Sequence, residues 1–246
     1  MPTLSVLIPV FNEEETLDAL LDAVERQPEV SEIVVVNDGS EDRTAEILAT
    51  RTWTRPVQVI HHERNRGKGA ALRTAISAAT SELALVQDAD LEYDPSDYAR
   101  LLDPFERPGV TVVFGTRSFS AHSAYSFWFV MGNKLVSLYS NVLFNSYLTD
   151  VETCFKVMPV ALWQDLDLRC NRFDIEPEIS AKVLLRGIRV FEVPISYAAR
   201  SRAEGKKLTW RDGLQAIWTV TRIRLTSRRS TLTPPGEEPG PGQTTP

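Results

Sequence analysis

LALVQDADLEYDP, Leu83 to Pro95, joins an unbroken apolar run to carboxylates at every second position: Asp88, Asp90, Glu92 and Asp94. Four apolar residues without polar alternation read as a strand buried on both faces, the mark of a parallel sheet covered by helices. The first half of the chain repeats this rhythm. LSVLIPV (Leu4 to Val10) precedes EEETLDALLDAVERQ, where Leu17, Leu20, Leu21 and Val24 recur at helical spacing. EIVVV leads into NDGSEDRTAEILAT, where Ser40 or Asp42 is placed to cap a helix. VQVIHH then leads into GKGAALRTAISAAT, and VTVVFG (Val110 to Gly115) into an aromatic-rich segment. The expected fold class is α/β, a Rossmann-like, mainly parallel central sheet flanked by helices.

After Gly115 the rhythm changes. Ala121 to Leu148 reads as one long helical segment, followed by a strand in CFKVMP, a helix around Glu178 to Arg186 and a strand in RVFEVPI. Trp210 to Leu225 sets Trp210, Leu214, Ile217, Trp218, Thr221 and Leu225 on one helical face among arginines. Such a helix either lies in a bilayer interface or packs on the domain with its arginines solvated. Residues 1–226 are expected to form one catalytic domain, of which 200–229 is a basic loop and amphipathic helix. The tail 230–246 has five Pro and three Gly and is expected to be disordered.

With 246 residues, 43% of them hydrophobic, the chain can bury a sizeable core. Its net charge of −6 argues against a general nucleic-acid partner. That average hides an asymmetry: residues 200–229 carry nine Lys/Arg against two Asp/Glu, a local +7 that leaves −13 elsewhere. Cys154 and Cys170 have no metal-ligand spacing and form no disulfide framework, and the N-terminus lacks signal-peptide features, so a cytoplasmic setting is expected.

Ligands of open parallel sheets bind beyond the carboxyl ends of the strands. The acidic stretch begins where LALVQ ends, so Asp88 and Asp90 are expected in that crevice, where Mg2+ or Mn2+ would offset their repulsion and bind a diphosphate. A calcium EF-hand loop starting at Asp88 fails, because Tyr93 and Ala99 stand where Gly and Glu are needed. Asp94 reads as the cap of a helix starting near Pro95. PVFNEEE lacks the glycines of a dinucleotide fingerprint. HERNRGKGAALR offers glycines and cations, Lys68 among them, where a helix begins; Gly67 and Gly69 read equally as a turn. His61 and His62 are read as structural.

PVFNEEETL, VVNDGSEDRT, NRGKGAALRTAI, DADLEYDP, FGTR, TDVETCFKV, RFDIEPEI and EVPISYAARSRAEGKKLTW, in this order, resemble glycosyltransferase family 2 in its dolichol-phosphate-mannose-synthase-like branch. The resemblance spans roughly Leu4 to Leu225. It implies a GT-A fold, a nucleotide-sugar donor, a divalent metal and a polyprenyl phosphate acceptor at the cytoplasmic membrane face. By motif, Pro9, Phe11, Glu13 and Asp38 would line the nucleoside pocket. Lys68, Asp88, Ala89, Asp90, Arg202, Lys206 and Lys207 would complete the nucleotide-sugar site, with Asp88, Asp90 and Glu92 on the metal. Arg117, Asn133 and Ser137 would hold acceptor phosphate. Asn133 stands where mannose synthases of this branch have Arg, which leaves the donor sugar open.

The resemblance further implies inversion, with charge on the departing diphosphate met by the metal and by cations such as Arg202. A hydroxyl acceptor would need a base, for which Asp150 and Glu178 are the candidates, each equally readable as a cap or ion-pair partner. The basic segment suits an anionic membrane surface, and a separate membrane-spanning partner protein is compatible with it. Two alternatives remain: a family 2 transferase acting on a saccharide or small-molecule hydroxyl, and a non-catalytic nucleotide-sugar-binding subunit.

Overall fold

Apolar runs with no polar face are buried on both sides, and in the computed structural model every residue of β1 (Leu4–Val10) and β4 (Leu83–Val86) is buried. The structure describes residues 2–117, 122–123, 127–199 and 210–226. β2 (Val30–Asn37) and β3 (Val57–His61) extend the sheet on one side, and β7 (Lys156–Pro159), β5 (Val112–Thr116) and β8 (Val190–Pro194) on the other. The order is β3-β2-β1-β4-β7-β5-β8, with β1–β4 parallel, β5 parallel to β8, and β7 antiparallel to both its neighbours. A two-stranded ladder pairs β6 (His122–Ser123) with β9 (Tyr197–Ala198).

The helices follow the sequence with three differences. In α1 (Leu17–Glu25), Leu17, Leu20, Leu21 and Val24 are buried at the expected spacing. Asp42 rather than Ser40 serves the start of α2 (Thr44–Thr50), accepting the Thr44 N–H at 3.0 Å. Asp94 accepts the Ser96 N–H at 2.9 Å ahead of a 3-10 turn, Pro95–Asp97, that leads into α4 (Tyr98–Leu102). α5 covers Phe127–Phe144, shorter than the expected helix, because Asn145 turns to φ 50° and Asn141 exchanges two 2.8 Å hydrogen bonds with the backbone of Leu148. His122 and Ser123, expected to be helical, lie in β6. After α6 (Val160–Asp165), α7 (Ile175–Leu185) starts three residues early, since Pro177 sits in the first turn, where a missing N–H costs nothing.

α8 (Trp210–Thr226) packs on the domain with one face and leaves the Leu214–Trp218–Leu225 side exposed. Ala216, Val220 and Ile223 are buried against α7 and α5, and Tyr139 shares a 2.7 Å hydrogen bond with Thr221. Leu214, Trp218 and Leu225 face outward, Trp218 at 65% exposure. Alongside, α5 exposes Met131, Leu135, Leu138 and Val142, a stripe at steps of four, three and four residues. Among the described residues no helix is long and apolar enough to cross a membrane.

Candidate active site

The carboxyl ends of β1, β2, β4 and β5 converge on one edge of the sheet, and most of the expected site residues lie there. Pro9 is buried in β1 beside Val36, and Phe11 follows it half-buried. Glu13 accepts the Thr16 hydroxyl at 3.1 Å, and the same hydroxyl lies 2.8 Å from the carbonyl of Ala89. Thr16 therefore fastens the loop after β1 to the Asp88–Asp90 turn, a role that nothing in the sequence signalled.

Asp38 is buried at the end of β2. Its carboxylate lies 2.6 Å from Nδ1 of His62 and accepts the N–H groups of Arg66 (3.0 Å) and Gly67 (2.7 Å). Its oxygens thus shape the loop before α3 (Lys68–Ala78), and His62 links Asp38 to the Thr74 hydroxyl, 3.0 Å from its Nε2. The helix start does not present its amides to an anion. Asn171 accepts the N–H of Gly69 at 2.8 Å, and a Cβ on Gly69 would stand 2.3 Å from the Cys170 carbonyl. The glycine at 69 permits that close approach, and Gly67, at φ 98°, makes the turn into the helix.

Beneath the acidic turn a line of alternating charge runs inward from half-buried Asp88 and Lys68 to buried Glu176 and Lys156. Lys68 lies 2.6 Å from Asp88 and 3.1 Å from Glu176, and Glu176 lies 2.7 Å from Lys156, which is 0% exposed. Burial alone would lower the Lys68 pKa, but the Asp88 and Glu176 carboxylates outweigh it and hold the ammonium well above its ordinary range. Glu176 and Lys156 were not singled out from sequence. The available signal was a lysine between Phe155 and Val157 in an apolar strand, since a buried lysine requires a partner.

A second line runs from α5 to the acidic turn. Asn133 donates to Asp150 at 3.1 Å, and Asp150 takes Arg117 in a two-point pair at 2.6 and 2.8 Å. Arg117 lies over the Tyr197 ring, 5.0 Å from its centroid, and the Tyr197 hydroxyl donates to Glu92 at 2.7 Å. Burial pushes Asp150 up, but the Arg117 charge outweighs it and holds the carboxyl below its ordinary value. Burial pushes neighbouring Glu152 up. Ser137 is buried and accepts the Val151 N–H at 3.1 Å.

Glu178 is not brought to this site. It accepts the N–H groups of Arg169 and Cys170 and pairs with Lys182 at 2.8 Å. Two residues apart on a helix means about 200° of rotation, so Glu178 faces away from Glu176. Arg202, Lys206 and Lys207 lie outside the described residues, as does the tail. A cavity of about 750 Å3 bordered by Pro2, Glu82 and Phe105 lies at the opposite, amino ends of the strands.

Among the described residues no three His, Cys, Asp or Glu side chains are gathered into a complete metal cage. The donor chemistry fits a partial shell: Asp88, beside Lys68, and Asp90, which accepts the Glu92 N–H at 3.1 Å, supply hard oxygen donors from one turn, while the Glu92 carboxylate accepts from Tyr197. A hard divalent cation there would keep positions for a diphosphate.

The profile of glycosyl transferase family 2 matches residues 5–160. An undecaprenyl-phosphate 4-deoxy-4-formamido-L-arabinose transferase of Edwardsiella ictaluri is 30% identical over 82% of this chain. A dolichol-phosphate mannosyltransferase of Pyrococcus furiosus is 28% identical, also over 82%. The chain spans 62% and 58% of these relatives' own lengths. Among solved structures, glucosyl-3-phosphoglycerate synthase from Mycobacterium tuberculosis with bound UDP superimposes with a TM-score of 0.69 at 18% identity, over 92% of this chain and 82% of that one. The same synthase has been crystallised with UDP and Mn2+ or Mg2+. The sheet order with its single reversed strand, the acidic turn at its carboxyl edge and these matches agree: the chain is a GT-A-fold glycosyltransferase that belongs to glycosyl transferase family 2.

Proposed function

We propose that this protein moves a hexose from a nucleotide sugar to a polyprenyl phosphate, with inversion, at the cytoplasmic face of a membrane. The observation that carries the reading is the pairing of α5 and α8. Leu135, Leu138 and Val142 of α5 and Leu214, Trp218 and Leu225 of α8 are exposed apolar side chains on two packed helices, while the opposite face of α5 carries Asn133, which donates to the Asp150 that holds Arg117. A lipid phosphate needs that combination, a cation for its headgroup and apolar surface for its chain. The relatives named for undecaprenyl and dolichol phosphate support the same acceptor class.

Pro9, Phe11, Glu13 and Asp38 would border the nucleoside, Asp38 through the loop it holds. Asp88, Asp90 and Glu92 would hold Mg2+ or Mn2+, which when bound offsets the charge developing on the departing diphosphate. Arg202 with Lys206 or Lys207 would meet the same diphosphate. Arg117, fixed by Asp150, would position the acceptor phosphate, with Asn133 and Ser137 holding the loop behind it. A phosphate is already ionised near neutral pH and needs no base. This suits a site where Asp150 is held charged against Arg117 and Glu178 caps a distant loop.

A second reading, a small-molecule hydroxyl acceptor, rests on Glu152, whose raised pKa beside Arg117 is the direction a general base requires. The test incubates the protein with Mg2+ or Mn2+, a short polyprenyl phosphate and a panel of UDP- and GDP-sugars, following lipid-linked sugar by mass spectrometry. Asp90→Ala should abolish product without unfolding the chain. Full transfer in EDTA would defeat the metal assignment.

A further inference from the structure

The charge line under the acidic turn contains an acceptor without a hydrogen bond. Oε2 of Glu176 is engaged by Lys156 at 2.7 Å, whereas buried Oε1 receives no aligned hydrogen bond although Lys68 Nζ is 3.1 Å away. Lys68 instead directs itself at Asp88, 2.6 Å from one carboxylate oxygen and 2.9 Å from the other. Lys156 is closed in from the other side by the Thr153 carbonyl and the face of Phe114. Asp88, Lys68, Glu176 and Lys156 thus balance two negative charges with two positive ones in a row that runs from the half-buried Asp88 and Lys68 to the buried Glu176 and Lys156.

A divalent cation on Asp88 would upset that row. Lys68 would face like charge at short range with only 13% of its side chain exposed to water, and an ammonium so shielded is destabilising once stripped of its partner. The only compensation within reach on this line is Glu176 Oε1. We propose that Glu176 is a positioning residue that receives Lys68 when Asp88 turns to the metal, so that Lys68 leaves Asp88 without losing its counter-charge. The inference rests on the reading that Asp88 and Asp90 hold the cation. It gives a reason for a lysine that otherwise competes with that cation, and for the second carboxylate on the first turn of α7.

The test is a double-mutant cycle read by Mn2+ binding, not by turnover. MnCl2 alone is titrated by electron paramagnetic resonance into the full chain as wild type, Glu176→Gln, Lys68→Met and the double variant. Glu176→Gln is expected to weaken Mn2+ about tenfold, or 1.4 kcal/mol, because Lys68 then stays on Asp88. In the Lys68→Met background the same change is expected to shift affinity less than about twofold, because there is no lysine left to receive. Unchanged affinity in Glu176→Gln, or an equal loss in both backgrounds, overturns the proposal; an equal loss would reduce Glu176 to a fixed charge in the field.

Since Glu176→Gln leaves buried Lys156 without its carboxylate, Lys156→Met and Lys156→Met/Glu176→Gln repeat the comparison, with circular dichroism confirming the fold. The tenfold loss should recur between those two. Asp90→Ala separates the levels: Mn2+ binding indifferent to Asp90→Ala removes the metal site and this inference with it. Binding that needs Asp90 but ignores Glu176 removes the inference alone.

Discussion

Arg117 meets both carboxylate oxygens of Asp150, Nε at 2.6 Å and Nη2 at 2.8 Å, and its backbone N–H points to the same carboxylate at 3.3 Å. Asp150 is buried and Arg117 half-buried, so the geometry of the pair is set by packing as well as charge. Lysine has one point of charge where arginine has a planar fork. If Arg117 is the proposed acceptor-side cation, Arg117→Lys is expected to keep the fold and lower kcat/KM for transfer at least about tenfold, because a lysine is not held by Asp150 in the same two-point geometry. Steady-state kinetics with the lipid acceptor check this.

The same pair sets a pH dependence. Asp150 has a folded pKa below the ordinary 3.8, because the Arg117 charge outweighs burial. A depressed carboxyl contributes stability above its unfolded pKa and loses it as pH falls through the folded one. Wild type should exceed Asp150→Asn in urea midpoint at neutral pH, and the gap should close as pH drops below 3.8. A gap that is constant across that window would mean the carboxylate charge is not what stabilises the pair.

Gly69 and Gly132 should respond oppositely to alanine. At Gly69 a Cβ would stand 2.3 Å from the backbone carbonyl of Cys170, which cannot yield without moving the 170–172 loop. At Gly132, within α5, nothing lies within 4 Å. Gly69→Ala should cost about 1–3 kcal/mol, and Gly132→Ala should gain about 0.5–1 kcal/mol from helix propensity. Thermal or urea unfolding of the two variants measures both.

The outward stripes of α5 and α8 predict a separation of binding functions. Trp218→Ser and Val142→Ser remove apolar surface from residues that are 65% and 77% exposed, so the core is untouched. Sedimentation with anionic phospholipid vesicles should fall about tenfold in the double variant, with nucleotide-sugar binding unchanged by calorimetry.

Much of this architecture was legible in local sequence. β1 and β4 announce themselves as apolar runs without a polar face, and Leu17, Leu20, Leu21 and Val24 announce the buried side of α1. What local pattern cannot carry is direction and partnership. CFKVMP reads as a strand, yet its insertion antiparallel between β4 and β5 depends on the path of α5 before it. The helix expected around Glu178 begins at Ile175 with Pro177 in its first turn, and that early start places Glu176 rather than Glu178 on the site side. Asp38 is expected by motif in the nucleoside pocket, and its neighbours show that it organises the 62–67 loop with both oxygens. Lys156 and Glu176 stand 20 residues apart, so their pairing exists only in the folded chain.

The acceptor decides which product this transferase makes. The purified protein, supplied with Mn2+ and whichever nucleotide sugar it consumes, should be offered a short polyprenyl phosphate and the matching polyprenol in parallel, with Glu152→Gln alongside wild type. The account predicts a sugar-phosphate-lipid product from the phosphate alone, formed equally by Glu152→Gln. Product from the hydroxyl acceptor, lost in Glu152→Gln, would contradict it and make Glu152 a base in a different transferase.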